Sequence, residues 1–135
     1  RFAGRRDRIP PELAAKMAAL ERSTEALSTL DLWIAFDYGG RDELVAAARR
    51  LVEDGVPAAE IDEAALAARL SAPDLPDVDL LIRTSGELRL SNFLLWHANY
   101  AELVFSDSLW PDFDADELRA AVEEYGRRGR RFGGR

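Results

Sequence analysis

The sequence predicts an α/β fold, a parallel sheet flanked by helices. Two observations carry that prediction. Short apolar segments alternate with longer amphipathic ones along the 135 residues. The apolar segments are continuous rather than alternating, which is the pattern of strands covered on both faces. A third observation bounds it: there are three such strands and a stump, a sheet too narrow to protect its own edges. The chain is therefore expected to form an incomplete part of a larger domain.

Taken in order, RFAG at 1–4 reads as the stump of a strand. Pro10 and Pro11 open a helix, because a first-turn proline lacks only an N–H that would have no partner there. Leu13, Met17, Leu20 and Ala26 or Leu27 then recur at helical spacing. LWIAF at 32–36 is a short apolar strand ended by DYGG. Residues 41–55 form an amphipathic helix with Leu44, Val45, Ala48, Leu51 and Val52 inward and Gly55 as its stop. A shorter helix spans 62–70, and VDLLI at 78–82 is a second buried strand. NFLLWHANY at 92–100 is expected to be helical, opened by Ser91 or Asn92. ELVF at 102–105 is a third strand, and 114–128 is a helix with Asp114 and Glu117 in capping-box spacing. Trp33 and Trp110 are expected in the core, as are Phe93, Leu94, Leu95, Trp96 and Tyr100 unless they make a dimer contact or line a tunnel.

Composition narrows the function classes. The net charge of −7 argues against a nucleic-acid partner held by bulk electrostatics. The last ten residues carry five arginines and no acid. They suit either the negative end of a helix dipole or a grip on phosphate. No apolar run approaches the roughly 20 residues that span a bilayer, and no secretion signal is visible. The absence of cysteine excludes disulfides and thiolate chemistry and fits a reducing compartment, so a cytoplasmic location is expected.

The chemistry concentrates in DLLIRTSGELRLSNFLLW, residues 79–96. Ligands of open parallel sheets bind beyond the carboxyl ends of the strands, and Arg83 is the first residue past VDLLI. A charge at the end of a buried strand must be paired or wetted. Arg83, Arg89 and Ser91 suit a diphosphate clamp, because guanidinium gives forked, charge-assisted bonds to phosphate oxygens. The alternative pairs Arg83 and Arg89 with Glu87 and Asp79 in a structural network. Spacing alone leaves both open. His97, the single histidine, reads as a packed or surface residue rather than a catalytic base.

The segment from Asp79 to Phe113 resembles the C-terminal hallmark of the cis-prenyltransferases, the undecaprenyl diphosphate synthase family. IAFDYGGRDEL at 34–44, GRRDRIPPEL near the start and RRFGG near the end match in the same order. The resemblance implies an undecaprenyl diphosphate synthase-like fold and a magnesium-dependent enzyme. Such an enzyme condenses isopentenyl diphosphate with an allylic diphosphate to give Z-polyprenyl diphosphates. It implies that Arg83, Arg89 and Ser91, with the Leu90 backbone, bind the diphosphate of isopentenyl diphosphate. Glu102 is implied as a ligand of Mg2+, with an arginine partner as its alternative role. Glu87 and Asp112 would support the arginines, and Arg131 and Gly133 would reach the diphosphate across a homodimer interface. The lipid product implies peripheral contact with a membrane.

The sequence departs from the family in one large respect. The Asp-Gly-Asn-x-Arg-Trp motif, whose aspartate is the family's central magnesium ligand, is absent, and the two asparagines present, Asn92 and Asn99, lie in no such motif. No catalytic residue is therefore assigned here, and residues 1–135 are expected to be the C-terminal portion of one domain, inactive alone. Some relatives are non-catalytic partner subunits of a heteromeric enzyme, which is the alternative role. Smaller departures are Asp37 in place of asparagine and Leu88 in place of a polar residue.

Overall fold

The structure, a computed structural model, describes residues 1–129. Two compact units divide the chain, one from Arg1 to Leu75 and one beginning at Pro76. Both are built from parallel strand pairs and helices, as the alternating sequence requires.

In the first unit, β1 (Phe2–Ala3) pairs in parallel with β2 (Ile34–Ala35). Gly4 ends β1 with a φ of 116°, and a Cβ there would meet the Phe36 carbonyl at 2.2 Å, so only glycine fits. Helix α1 (Pro11–Thr24) carries proline in its first turn and buries Met17. Helix α2 (Gly40–Glu53) packs against the short helix α3 (Glu63–Ala67), whose Asp62 cap accepts the Ala65 N–H at 2.8 Å.

In the second unit, β3 (Leu80–Arg83) pairs with β4 (Glu102–Phe105) in parallel register, Leu80 opposite Glu102 and Arg83 opposite Phe105. Leu81 and Val104 are buried in the middle of this ladder, and α4 (Ala115–Arg127) packs on both strands through Ala121. Asp114 caps α4 by accepting the Asp116 and Glu117 N–H groups at 2.9 and 3.0 Å. No helix among the described residues is long and apolar enough to cross a membrane.

Several expectations need correction. Among the described residues the strands form two parallel pairs, one within each unit. Ile34 and Phe36 are exposed, not buried. The buried face of α2 is Gly40, Glu43, Ala47 and Leu51 rather than the face of Val45, Ala48 and Val52, a rotation of about one residue. A buried carboxylate causes that rotation, because Glu43 is fully used inside the unit. Its oxygens accept the Tyr38 hydroxyl and the Ser71 N–H and hydroxyl. Residues 92–100 are turns, not a helix. Ser91, Asn92 and Leu94 have φ of 49°, 67° and 46°, and left-handed residues cannot continue a right-handed helix. Trp110 is 74% exposed in a 3₁₀ turn instead of the core, and Phe93 and Tyr100 are exposed as well.

Candidate functional site

Arg83 closes β3, so its backbone is fixed by the ladder and its side chain leaves from the carboxyl end of the strand. Its Nε is buried and has no hydrogen-bond partner. A buried guanidinium donor without an acceptor costs about 1–3 kcal/mol or more. The network alternative required Arg83 to be satisfied by a neighbouring carboxylate, and at Nε it is not.

The loop after Arg83 reverses through Ser85 and Gly86, both left-handed with φ of 71° and 66°. Their N–H groups bond to the carbonyls of Ser108 and Ser106 at 2.7 and 2.9 Å, and the Ser106 N–H returns to the Arg83 carbonyl at 2.8 Å. The base of the loop is thereby tied to the segment between β4 and α4. At the tip, Leu88 is exposed and Arg89 forms an ion pair with Glu87. The Arg89 side chain is 63% exposed, so this pair leaves its remaining donors open to solvent. The Leu90 carbonyl accepts the Phe93 N–H at 3.0 Å, and Ser91 is exposed. Arg83, Glu87, Arg89, Leu90 and Ser91 therefore share one loop, with Glu87 paired to Arg89, a contact common to the supporting role and to the structural network.

Other assigned residues stand apart from it. Asp112 is exposed and has no side-chain partner among the described residues, so no network joins it to the arginines. Arg131 and Gly133 lie outside the described residues. Glu102 sits opposite Leu80, at the other end of the ladder from Arg83. Three residues at about 3.3 Å each separate the two ends by roughly 10 Å. The Glu102 carboxylate accepts Arg128 Nη1 at 3.0 Å, and Arg128 also binds the Leu103 carbonyl at 2.9 Å and Glu124. These hydrogen bonds, Glu124 first and Glu102 second, raise the Arg128 pKa. Among the described residues no group of three His, Asp or Glu side chains could hold a metal ion. The described residues alone therefore supply no complete magnesium site, and Glu102 as a ligand of the ion stays what the resemblance implies.

His97 is buried, as its packed reading requires, and its carbonyl accepts the Val78 N–H at 2.8 Å. In the first unit, Asp37 takes both arms of the Arg8 guanidinium at 2.6 and 2.8 Å. A carboxylate accepts that fork where an asparagine amide would not, which accounts for the departure at this position. The sequence reading missed Glu43 and Glu117. The only signal for Glu43 is an acid in register with Ala47 and Leu51.

Residues 1–133 match the model of a family described as putative undecaprenyl diphosphate synthase. The chain belongs to that family. It is 50% identical over 137 residues to the ditrans,polycis-undecaprenyl-diphosphate synthase ((2E,6E)-farnesyl-diphosphate specific) of Xanthomonas axonopodis pv. citri, covering 98% of this chain and 53% of that relative. It is 48% identical to isoprenyl transferase 2 of Bradyrhizobium diazoefficiens, covering 99% of this chain and 55% of the relative. The chain thus spans about half the length of these two relatives. Among solved structures, lavandulyl diphosphate synthase from Lavandula x intermedia, in complex with dimethylallyl diphosphate, superposes with a TM-score of 0.89 at 37% identity. That match covers 98% of this chain and 60% of the other. A probable undecaprenyl diphosphate synthase from Campylobacter jejuni gives 0.87 at 35%, covering 98% and 62%. The α/β reading and the family resemblance both hold.

Proposed function

We propose that this chain supplies the isopentenyl diphosphate half of a cis-prenyltransferase site. The reaction condenses isopentenyl diphosphate with an allylic diphosphate to give a Z-polyprenyl diphosphate. The observation that carries the reading is Arg83, a half-buried arginine whose buried Nε is unsatisfied, at the carboxyl end of a parallel strand. Family membership agrees with it.

In this reading Arg83 and Arg89 grip the diphosphate oxygens through charge-assisted bonds. The Ser91 hydroxyl and the Leu90 backbone complete the contact, and Glu87 limits the travel of Arg89. Holding the diphosphate fixes the alkene end of the same molecule. The contribution to rate is mainly one of positioning, since an oriented pair of reactants avoids the entropy of encounter. The alkene carbon attacks the allylic carbon, the allylic diphosphate departs with its bonding electrons, and a proton is lost to set the new double bond. The residues described here hold one of the two substrates. Magnesium, with Glu102 as its ligand, belongs to what the resemblance implies, and no step is drawn through the ion. A homodimer and a lipid product that meets a membrane surface belong to the same proposal.

The test is a calorimetric titration of isopentenyl diphosphate into the 135-residue chain and its Arg83→Ala variant. Loss of a charge-assisted bond predicts affinity about ten- to hundred-fold weaker, with an unchanged circular dichroism spectrum. Equal affinity in a folded variant refutes the assignment.

A further inference from the structure

Glu117 touches none of the residues assigned to the diphosphate, yet the loop that carries them is anchored to it. We propose that Glu117 is the positioning residue of the arginine loop, acting through Ser106 and Ser108. The argument begins at the helix cap. Asp114 already satisfies the Asp116 and Glu117 N–H groups, and the Glu117 side chain turns to the segment between β4 and α4. There Oε1 accepts the Ser106 hydroxyl at 3.4 Å and the Ser108 hydroxyl in a shorter bond. The Ser106 oxygen in turn accepts the Ser108 N–H at 3.2 Å. One carboxylate oxygen therefore fixes both serines.

Those serines are the ones that hold the loop. Their carbonyls accept the Gly86 and Ser85 N–H groups, and the Ser106 N–H binds the Arg83 carbonyl. Ser106 is thus bonded on one side to Glu117 and on the other to Arg83. The conformation being held is an unfavourable one. Ser85 lies in the left-handed region, which disfavours a residue with a Cβ, and such a conformation persists only where its surroundings determine it. A Cβ added at Gly86 would come within 3.3 Å of Asp107 Oδ1, so the fit between the two segments is close. The second carboxylate oxygen, Oε2, is buried without a partner, as is Arg83 Nε. The unit thus encloses an unsatisfied donor and an unsatisfied acceptor of opposite charge, both on residues bonded to Ser106.

The anchor itself is independent of the ligand; its bearing on affinity rests on the diphosphate reading above. The experiment separates the two. Amide hydrogen exchange is measured by NMR on the 135-residue chain and on Glu117→Ala, Glu117→Gln and Ser108→Ala, with inorganic pyrophosphate titrated into each. In Glu117→Ala the Ser85 and Gly86 amides should exchange about ten-fold faster or more while the β3–β4 ladder amides keep their protection. Pyrophosphate affinity should fall by a similar factor. Glu117→Gln retains the accepting oxygen and should restore both properties to within about three-fold. Should Glu117→Ala unfold, Ser108→Ala decides. Selective loss of protection at Ser85 supports the anchor, and unchanged protection overturns it. Exchange at Ser85 and Gly86 that tracks the ladder in every variant also overturns it, since Glu117 would then only stabilise the unit. If the unmodified chain binds no pyrophosphate, the diphosphate reading falls, and the exchange comparison still decides the anchor.

Discussion

Glu21 fastens helix α1 to the start of the chain, and its removal gives a pH-dependent loss of stability that can be worked from the structure. Oε1 accepts the Phe2 N–H at 3.1 Å and Arg6 Nη2 at 2.6 Å, and Oε2 accepts Arg6 Nη1 at 3.0 Å. The side chains are 27% and 42% exposed, so water screens the pair. An exposed ion pair contributes about 0.2–1 kcal/mol, and a lost hydrogen bond to a partly buried N–H adds about 1 kcal/mol. Glu21→Ala should therefore cost about 1–2 kcal/mol at pH 7, and Glu21→Gln, which keeps an acceptor for Phe2, about half as much. The Arg6 hydrogen bond, the largest cause, holds the Glu21 carboxyl below its ordinary value of 4.5, with the Phe2 N–H adding to it against the opposing effect of burial. A carboxyl depressed in the folded state stabilises fully above its unfolded pKa and loses that contribution as pH falls through the folded one. The difference between the native chain and Glu21→Ala should be full at pH 7 and shrink below about pH 4. Urea unfolding followed by circular dichroism measures it. Because Arg5 depresses Asp7 in the same way, the informative quantity is the difference between variants rather than the acid stability of either. A difference of equal size at pH 3 and pH 7 refutes the reasoning.

Two further predictions concern the reaction. Glu102→Gln should leave any magnesium-dependent change in pyrophosphate affinity of this chain unaltered, because Glu102 is paired with Arg128 and sits at the far end of the ladder from Arg83. Loss of that magnesium effect in the variant would return Glu102 to the metal. The 135 residues alone should convert no labelled isopentenyl diphosphate and allylic diphosphate into butanol-extractable product, with or without magnesium. The Asp-Gly-Asn-x-Arg-Trp motif is absent from the sequence. Addition of a relative's N-terminal segment should restore turnover if the chain is catalytic and leave it silent if the chain is a partner subunit.

What could be read from the sequence were the elements with strong local signals. Residues 102–105 form the expected strand without a shift of boundary, and the Asp114 cap and the proline-opened first helix stand where their side chains dictate. The failures have two causes. Residues 92–100 have the apolar density of a helix, but left-handed Asn92 and Leu94, with Ser91 just before them, make the segment a run of turns, and a backbone sign does not show in an apolar pattern. The inward face of α2 was misjudged because counting hydrophobic residues treats Glu43 as outward. Tyr38 and Ser71 make it inward by satisfying its oxygens, and Ser71 lies 28 residues away in the chain. The loop arginines were visible because charge at the end of an apolar strand is anomalous by itself. Glu117 was not, since an acid in the first turn of a helix already has a sufficient local explanation.

Among the described residues, four of the five non-glycine residues with positive φ are Ser85, Ser91, Asn92 and Leu94, all following Arg83. Strain of this kind is not spread at random over a fold, and each such residue costs on the order of 1–2 kcal/mol. A segment whose only task were to join β3 to β4 could cross by ordinary turns with glycine at the left-handed positions. The polar residues held in that region instead flank Arg89 on both sides, with Ser85 before it and Ser91 and Asn92 after it. Ser91 is itself one of the residues assigned to the diphosphate. The strain and the unsatisfied Arg83 donor therefore belong to one arrangement. At Ser85 and Gly86 the backbone is kept in its left-handed shape by bonds to Ser108 and Ser106, and the side chains of Arg83, Arg89 and Ser91 along the segment are charged or hydroxylic. An anion bound there would satisfy the donor and add contacts that only the strained shape can offer. On the proposed reading the loop would be a preformed site rather than one assembled on binding.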